Sequence, residues 1–378
     1  MTEFSKIPRN SGNKSGGYPV FSSGNFIINT LRMIYNFLSS VKLALGLLIV
    51  ILVCCIAGVT IYRDKRAWEL IFSTFWFNGI LVLLVVNVAF CFFGRIWGRK
   101  VTLISFGMIL FHLSFVAMLG GIIYNSLFYF HGLIRLTEGE TLPNEHPQSY
   151  DVLNRGRLFD QSRLKGETTL IRMHTKYKVD GEDKMVAYEI AVGEGRARKQ
   201  GIVYITQHLD YRGFRYYADR EGYSLLITLH DRHRRELYGA HIPLQSFKQK
   251  DDKYLYATGT KDGPAPLAFP QDPQKPLFDL LVTYLPTPLK ERAGDAVFQV
   301  WQHTMVPEEG TGPFAEGKAE IGGMVKAGNY HLSAKEVRYW VAMSVRYDPG
   351  QPIVLASLWV GLGGMIITFI GRMKRGSA

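Results

Sequence analysis

The sequence contains very little cysteine. Only three cysteines occur among the 378 residues, and Cys54, Cys55 and Cys91 all lie in strongly apolar stretches. The polar middle of the chain therefore cannot form a disulfide. No Cys-x-x-Cys or Cys-x-x-Cys-His motif occurs, which excludes a thioredoxin-like redox protein and a c-type cytochrome. No zinc-finger spacing or basic helix accompanies the net charge of +12, so a nucleic-acid partner is not expected.

Charge is almost absent from four long apolar blocks, and this distribution excludes a soluble cytosolic enzyme. The hydrocarbon core of a bilayer is crossed by a helix of about 20 predominantly apolar residues. Pro352 suits the first turn of the last block, because proline is tolerated where the helix begins. The blocks predict a membrane protein with four transmembrane helices, at residues 41–62, 70–93, 102–128 and 353–370.

Basic residues in the short loops predict the orientation of these helices, because lysine and arginine accumulate on the cytoplasmic side. Eleven basic residues belong to one side: Lys6, Arg9, Lys14, Arg32, Lys42, Arg95, Arg99, Lys100, Arg372, Lys374 and Arg375. Three belong to the other: Arg63, Lys65 and Arg66. We therefore expect residues 1–40 and the tail of segment 352–378 in the cytoplasm, and residues 131–351 outside it.

The exported segment, residues 131–351, has the pattern of a β domain. Runs of alternating or continuous apolar residues occur at 223–229, 277–284 and 296–301, and clusters of Gly, Pro and Asp separate such runs. No helical periodicity is long enough for a βαβ unit. The sequence predicts a large, mainly antiparallel β domain inserted between the third and fourth helices. Residues 26–37 have helical spacing and are expected to lie along the inner membrane face.

His112 is the first candidate for chemistry, because it lies near the middle of the third apolar block. An ionisable side chain there is costly and usually faces a partner. A neutral imidazole can ligate haem iron, and haem groups in membrane bundles are commonly held in this way. The alternative is a structural histidine hydrogen-bonded to Asn78 or Asn87 of the second helix. Chemistry alone leaves both interpretations open.

The other candidate residues favour structural roles. His230 and His233 have a spacing that can bind a metal, but charged neighbours surround them and indicate a turn after a strand. We therefore expect no metal site beyond a haem iron at His112. Nothing in the sequence forms a catalytic constellation. Small residues in apolar helices serve close helix packing, and this is the role predicted for Gly120, Gly121, Gly361, Gly363 and Gly364.

The order and spacing of several segments resemble those of the ResB-type cytochrome c biogenesis proteins. The third-helix segment from His112 to Gly120-Gly121 is followed by Thr137-Glu138-Gly139-Glu140, as in that family. The layout of three helices, a large β-rich domain and a final helix is also similar. The other resembling segments are Ser39–Ala44, Phe72–Phe77 with Leu84, Asn87 and Arg95, Ile205–Tyr217, and Tyr347–Gly350 with the glycines of the last helix and Arg372.

This resemblance implies a role in the System II pathway of cytochrome c maturation, at the bacterial cytoplasmic (inner) membrane. There a ResB-type subunit pairs with a ResC/CcsA-type membrane partner that bears a tryptophan-rich haem-handling motif. Together they carry haem outward and attach it to apocytochromes c. The family's third-helix histidine, a ligand of transiently held haem b, corresponds to His112. The chain is then expected to have no enzyme activity alone and to be a subunit of a haem–cytochrome c ligase assembly.

Arg95 and Arg99 are expected to meet the haem propionates as charge-assisted pairs, which is an inference from their charge and not a family assignment. Two other classes of function remain open at this stage. One is a membrane subunit of a respiratory electron-transfer complex that holds a b-type haem. The other is a membrane-tethered protein-binding module in which His112 is purely structural.

Overall fold

The computed structural model describes residues 23–62, 65–96, 102–249, 254–260, 262–271, 276–287, 290–303 and 312–376. The chain divides into two compact units. The helical unit comprises residues 1–123 and 350–378, and the β unit comprises residues 124–349.

The helices begin and end close to the predicted apolar blocks. They are α1 (Ser23–Leu38), α2 (Val41–Thr60), α3 (Lys65–Ala67), α4 (Phe75–Ile96), α5 (Leu103–Phe128) and α6 (Gln351–Gly376). Within the described residues, α2, α4, α5 and α6 are the four helices long and apolar enough to cross a membrane. The prediction of four such helices is confirmed.

The second apolar helix begins at Phe75, whereas the sequence places its start at residue 70. A π-helical turn, Trp68–Phe72, precedes it. The hydroxyl of Ser73 donates to the carbonyl of Trp68 at 2.6 Å. A side chain that bonds a carbonyl of the preceding turn competes with the regular helical ladder. The apolar run is therefore divided between two helical segments.

Helix α6 is longer than its apolar block at both ends. The sequence places the helix at residues 353–370, and the structure extends it over Gln351–Gly376. Pro352 lies in the first turn, where its missing N–H has no partner to lose. The last turn contains Lys374 and Arg375, whose positive charge is favourable at a helix C-terminus.

Helix α1 packs on α4 through polar and aromatic contacts. The buried Asn87 donates from Nδ2 to the carbonyls of Leu38 and Ser40, at 2.5 and 3.0 Å. The rings of Tyr35 and Phe90 meet edge to face, with centroids 5.5 Å apart. These contacts hold the junction of α1 and α2 against α4. An apolar cluster joins α2, α4 and α5, formed by Leu47, Ile71, Phe77, Leu81, Leu84 and Leu119.

Helices α5 and α6 approach each other through small residues. A β-carbon at Gly364 would lie 2.8 Å from the Gly107 carbonyl oxygen, and one at Gly107 would lie 2.6 Å from the Gly364 carbonyl oxygen. A β-carbon at Gly361 would lie 2.6 Å from the Ser114 hydroxyl. Close backbone approach of this kind is typical of packed membrane helices. Small residues at 107, 114 and 121 therefore form one face of α5.

The predicted packing role is confirmed for three of the five glycines. Gly121, Gly361 and Gly364 face the neighbouring helix. The prediction is wrong for Gly120 and Gly363, since a β-carbon at either position meets no described atom within 4 Å. Adjacent residues on a helix point about 100° apart, so only one glycine of each pair can face the contact.

The β unit consists of strands paired in antiparallel fashion, as predicted for this segment. Its described strands are β1 (Phe130–Thr137), β2 (Thr141–Pro143), β3 (Tyr150–Arg155), β4 (Glu167–Thr175), β5 (Lys178–Val179), β6 (Glu182–Asp183), β7 (Val186–Gly193), β8 (Lys199–Val203), β9 (Leu209–Tyr211), β10 (Phe214–His230), β11 (Glu236–Pro243), β12 (Gln245–Lys248), β13 (Tyr254–Ala257), β14 (Gly259–Thr260), β15 (Gly263–Pro264), β16 (Leu267–Phe269), β17 (Phe278–Pro286), β18 (Gly294–Gln302), β19 (Ala315–Glu320), β20 (Met324–Ala327) and β21 (Tyr330–Tyr347).

Three larger sheets organise these strands. The first has the order β11-β10-β21-β1-β3, with β9 on β10 and β20 on β21. The second has the order β12-β13-β17-β18-β19, with β16 on β17, and the third has the order β2-β4-β7-β8. The pairs β14-β15 and β5-β6 form separate small hairpins.

Two apolar cores lie within the β unit, and the long strands β10 and β21 supply residues to both. One core includes Phe130, Leu170, Tyr216 and Met343. The other includes Ile227 of the first sheet and Phe298 of the second sheet. Strand β10 pairs with β21 from Arg215 opposite Arg346 to His230 opposite His331, so one strand pair runs through both cores.

A leucine at Gly364 should disrupt the helical unit far more than a leucine at Gly363. We expect Gly364→Leu to force α6 away from the Gly107 carbonyl, at a cost of about 1–3 kcal/mol or more. The Gly363→Leu control adds the same side chain on the open side of α6 and should behave like the unchanged chain. Thermal unfolding of the detergent-solubilised protein measures the difference. Equal loss of stability in the two variants would contradict the described contact.

Candidate functional site

His112 lies in the middle of α5, and its ring orientation is set by the preceding turn of the same helix. Nδ1 is 2.8 Å from the carbonyl oxygen of Met108. A carbonyl oxygen only accepts, so this geometry places the imidazole hydrogen on Nδ1. The Nε2 lone pair of the neutral ring is then available to a ligand. No hydrogen bond joins Nε2 to another residue in the described part of the chain.

Aromatic side chains hold the half-buried ring of His112 on two sides. The ring of Phe92, on α4, stacks on it with centroids 4.1 Å apart and an interplanar angle of 14°. The ring of Phe111 meets it edge-on at 5.5 Å. Stacking and the Met108 hydrogen bond together restrict rotation of the imidazole. The side chain is therefore positioned before any ligand binds.

The hydrogen-bonded alternative for His112 is wrong in the partners that the sequence offered. Asn78 donates from Nδ2 to the Thr74 carbonyl at 2.9 Å. Asn87 donates from Nδ2 to the carbonyls that join α1 and α2. The described contacts of His112 are its own helix carbonyl and two aromatic rings. The ring is therefore held by packing against two aromatic side chains and by its own helix, not by a hydrogen bond to α4.

The expected pairing of Arg95 and Arg99 with the haem propionates stays a prediction. Arg99 lies outside the described residues, and so does the side chain of Arg95. Within the described ranges, no cluster of three or more His, Cys, Asp or Glu side chains forms a metal site. His112 is thus a single positioned imidazole in an apolar setting.

A groove of about 250 Å³ lies between α5 and α6, and its α5 lining consists of two residues that contact His112. It is lined by Met108, Phe111, Met365, Thr368, Phe369 and Arg372. The sequence indicated Arg372 for the orientation and for the family resemblance, but the groove was not predicted. The signal was the spacing of the α6 residues at 365, 368, 369 and 372, which places them on one face of the helix.

The charged segment after β10 is the turn that the sequence predicts. Asp231 Oδ1 accepts the backbone N–H groups of His233 and Arg235, at 2.8 and 2.9 Å. The ring nitrogens of His230 are 3.0 Å from the Thr228 hydroxyl and 3.3 Å from the Arg234 carbonyl. His230 is therefore occupied by its own strand and turn.

A larger cleft, of about 710 Å³, lies in the β unit and carries charges of both signs. The side chains of Arg135 and Asp151 pair at 2.5 Å. Burial, and then the nearby guanidinium of Arg338, lower the pKa of His241 below its ordinary value. Arg135 is thus neutralised within the cleft, and the lowered pKa of His241 favours its neutral form.

Glu138 forms the buried floor of this cleft, and its role is structural. Its Oε1 accepts the backbone N–H of Met173 at 2.9 Å, and its carboxylate pairs with Arg292, 2.9 Å from Oε2. Nearby, Glu140 Oε2 accepts the N–H of Thr137 at 2.7 Å. The Thr137–Glu140 segment is thus a turn that is closed by the Glu140 carboxylate and joined to distant residues by the Glu138 carboxylate.

The chain is similar to a known protein family over most of its length. A model of the ResB-like family matches residues 96–376, which is more than half of the chain. The matched range contains α5 with His112, the β unit and α6. No curated protein matches the chain.

Replacing Glu138 by glutamine should destabilise the β unit. The neutral amide weakens the pair with Arg292 and turns an N–H group toward backbone donors, which we expect to cost about 2 kcal/mol or more. A loss of that size lowers the unfolding temperature of a unit this large by roughly 4–8 °C. The exposed Glu194→Gln is the control and should change it little. Circular dichroism on heating measures both, and equal unfolding temperatures would contradict the assignment.

Proposed function

Because the chain belongs to the ResB-like family, we propose that it is a membrane subunit for cytochrome c maturation. In this proposal it assists the transport of haem across the membrane and the attachment of haem to apocytochrome c. The cargo is a haem b held transiently by the helical unit. The family match supports the general role, and the geometry of His112 supports the part played by haem.

The proposal that the chain binds haem rests on the tautomer and the orientation of the His112 imidazole. Nδ1 donates to the Met108 carbonyl at 2.8 Å, so Nε2 has its lone pair free. Histidines that ligate metals usually donate their other ring N–H in the same way, which fixes the tautomer and the ring orientation. The residues around the ring, Phe92 and Phe111, are apolar and suit a porphyrin face. The residues present therefore fit a haem ligand at this position.

The chain needs a partner to complete the reaction in this proposal. Its six tryptophans are scattered, at positions 68, 76, 97, 301, 340 and 359, and form no tryptophan-rich motif. A ResC/CcsA-type membrane protein supplies that motif and, with it, the site of attachment. The present chain supplies His112 in the membrane, together with the β unit. It has no enzyme activity alone and acts as a subunit of the haem–cytochrome c ligase assembly.

The proposed location is the bacterial cytoplasmic membrane, with both termini in the cytoplasm and the β unit outside. The excess of lysine and arginine on the predicted inner side supports this orientation. Helix α6 agrees with it, because its last turns carry Arg372, Lys374 and Arg375. Apocytochromes, which acquire haem outside the cytoplasm, would then meet the β unit and the partner on the same side.

Replacing His112 by alanine should lower both haem occupancy and cytochrome c maturation without removing the protein from the membrane. The change deletes the iron ligand, and shortening one neutral side chain does not raise the cost of membrane insertion. We expect added imidazole to restore part of the haem occupancy and part of the cytochrome c maturation by occupying the vacated position. The measurements are membrane abundance, haem absorption and holocytochrome c yield in a strain that lacks the native gene.

Leu113→Ala is the matched control, because it shortens the next side chain of α5, which is exposed on the helix surface. A low abundance of His112→Ala without imidazole rescue would indicate a structural histidine. Lost haem with an unchanged cytochrome yield would favour a haem-holding respiratory subunit. Unchanged haem with normal abundance and yield would exclude ligation by His112.

Reporter fusions test the proposed orientation independently of haem. Alkaline phosphatase, which is active only outside the cytoplasm, should be active when fused after Gly263 in the β unit. The same enzyme should be silent when fused after Ala378. Green fluorescent protein at the two positions serves as the complementary reporter and should give the opposite pattern. Activity at Ala378 and silence at Gly263 would reverse the orientation.

A further inference from the structure

The groove between α5 and α6 combines an apolar trough with a single charged end. Met108 and Phe111 form its α5 wall, and α6 supplies Met365 and Phe369. These four side chains are exposed on the surface of the helical unit. A chain of methylene groups in the trough would make dispersion contacts with both walls. Water in the same trough would not provide these contacts.

Arg372 supplies the charge at the end of the groove. No ion pair or hydrogen bond joins its guanidinium to another of the residues that the structure describes. Thr368, the other polar residue of the lining, donates its hydroxyl hydrogen to the Gly364 carbonyl at 2.8 Å. The one unneutralised group of the groove is therefore a cation, and it selects an anionic partner.

The position of Arg372 along α6 defines what kind of anion can reach it. It lies four residues before the end of the helix at Gly376, and the apolar lining begins at Met365, two turns earlier. In a helix that crosses a bilayer, such a residue is at the level of the lipid headgroups. Basic pockets between membrane helices bind anionic headgroups, and guanidinium pairs with phosphate through two parallel hydrogen bonds.

We propose that this groove is a binding site for an anionic phospholipid, with one acyl chain between α5 and α6 and its phosphate on Arg372. The lining supports this assignment, because apolar side chains of both helices match an acyl chain and Arg372 at the end matches an anionic headgroup. His112 does not line the groove. Met108 and Phe111 contact both the groove and His112, but the lipid proposal rests on Arg372 and the α6 lining and does not depend on the haem function.

Native mass spectrometry of the purified full chain tests the proposal. The protein in detergent is incubated with phosphatidylglycerol or with phosphatidylcholine of the same acyl chains, and the retained lipid is counted. The unchanged chain should retain about tenfold more phosphatidylglycerol than phosphatidylcholine. Arg372→Gln should abolish that preference, and Arg372→Lys should keep part of it, because lysine retains the charge but not the bidentate geometry.

Two matched controls separate a site from general attraction. Arg375→Gln removes the same charge from the last turn of α6, outside the groove, and should leave the preference unchanged. Met365→Trp should fill the trough and lower retention while Arg372 stays in place. Ile366→Trp adds the same bulk to an exposed neighbour that does not line the groove, and should have no effect.

Equal losses for Arg372→Gln and Arg375→Gln would overturn the proposal in favour of unspecific charge attraction. Retention that Met365→Trp does not lower would overturn the acyl-chain part. If Arg372→Gln lowers haem absorption and leaves phosphatidylglycerol bound, the groove holds a haem edge and the lipid assignment is wrong. His112→Ala should leave lipid retention unchanged, so failure of the haem proposal is distinguishable from failure of this one.

Discussion

The close packing of α5 on α6 is the constraint on which much of the chain depends. At Gly107 and Gly364 the backbones approach so closely that a β-carbon on either would meet the other's carbonyl. Helix α5 ends two residues before β1 begins, and β21 ends four residues before α6 begins. The same two segments pair again as neighbouring antiparallel strands, with Phe130 opposite Tyr347. One pair of segments therefore forms a helix contact in one unit and a central strand pair in the other.

The contact with α6 also determines which side chains of α5 can contact other helices or a ligand. Its small-residue face, at positions 107, 114 and 121, is taken by α6. His112 and Leu119 contact α4 and the apolar cluster instead. The imidazole is thus fixed by three influences of different range: a carbonyl of its own helix, a ring of the next helix, and the helix contact on another face. When a ligand binds to such a side chain, little conformational entropy is lost, because the imidazole is already ordered.

Much of this architecture could be predicted from the sequence, because burial of apolar side chains leaves a strong pattern. The four apolar helices and the antiparallel strands follow from runs and alternation of residues. The start of α4 could not be predicted, since it depends on hydrogen bonds from Ser73 and Thr74 to carbonyls of the preceding turn. The choice between Gly120 and Gly121 could not be predicted either, because it depends on the rotation of a helix against its neighbour.

The candidate site could be predicted only in part. For His112, the residue type indicated the chemistry, but the stacking partner Phe92 is a tertiary contact. The role of Glu138 depends on Arg292, far away in the sequence, and no local pattern marks that pairing.

The shared strand pair of the β unit has a mechanical consequence. Strand β10, with 17 residues at about 3.3 Å each, extends over roughly 55 Å. It pairs with β21 along almost this whole length, and both strands contribute side chains to the two cores. Neither core can come apart without breaking the same ladder, so the two are expected to open as one cooperative body. A force applied at one end of the strand pair, as when a bound chain is pulled away, would act as shear on the hydrogen bonds along the whole ladder. The β unit would therefore resist extension as one rigid body.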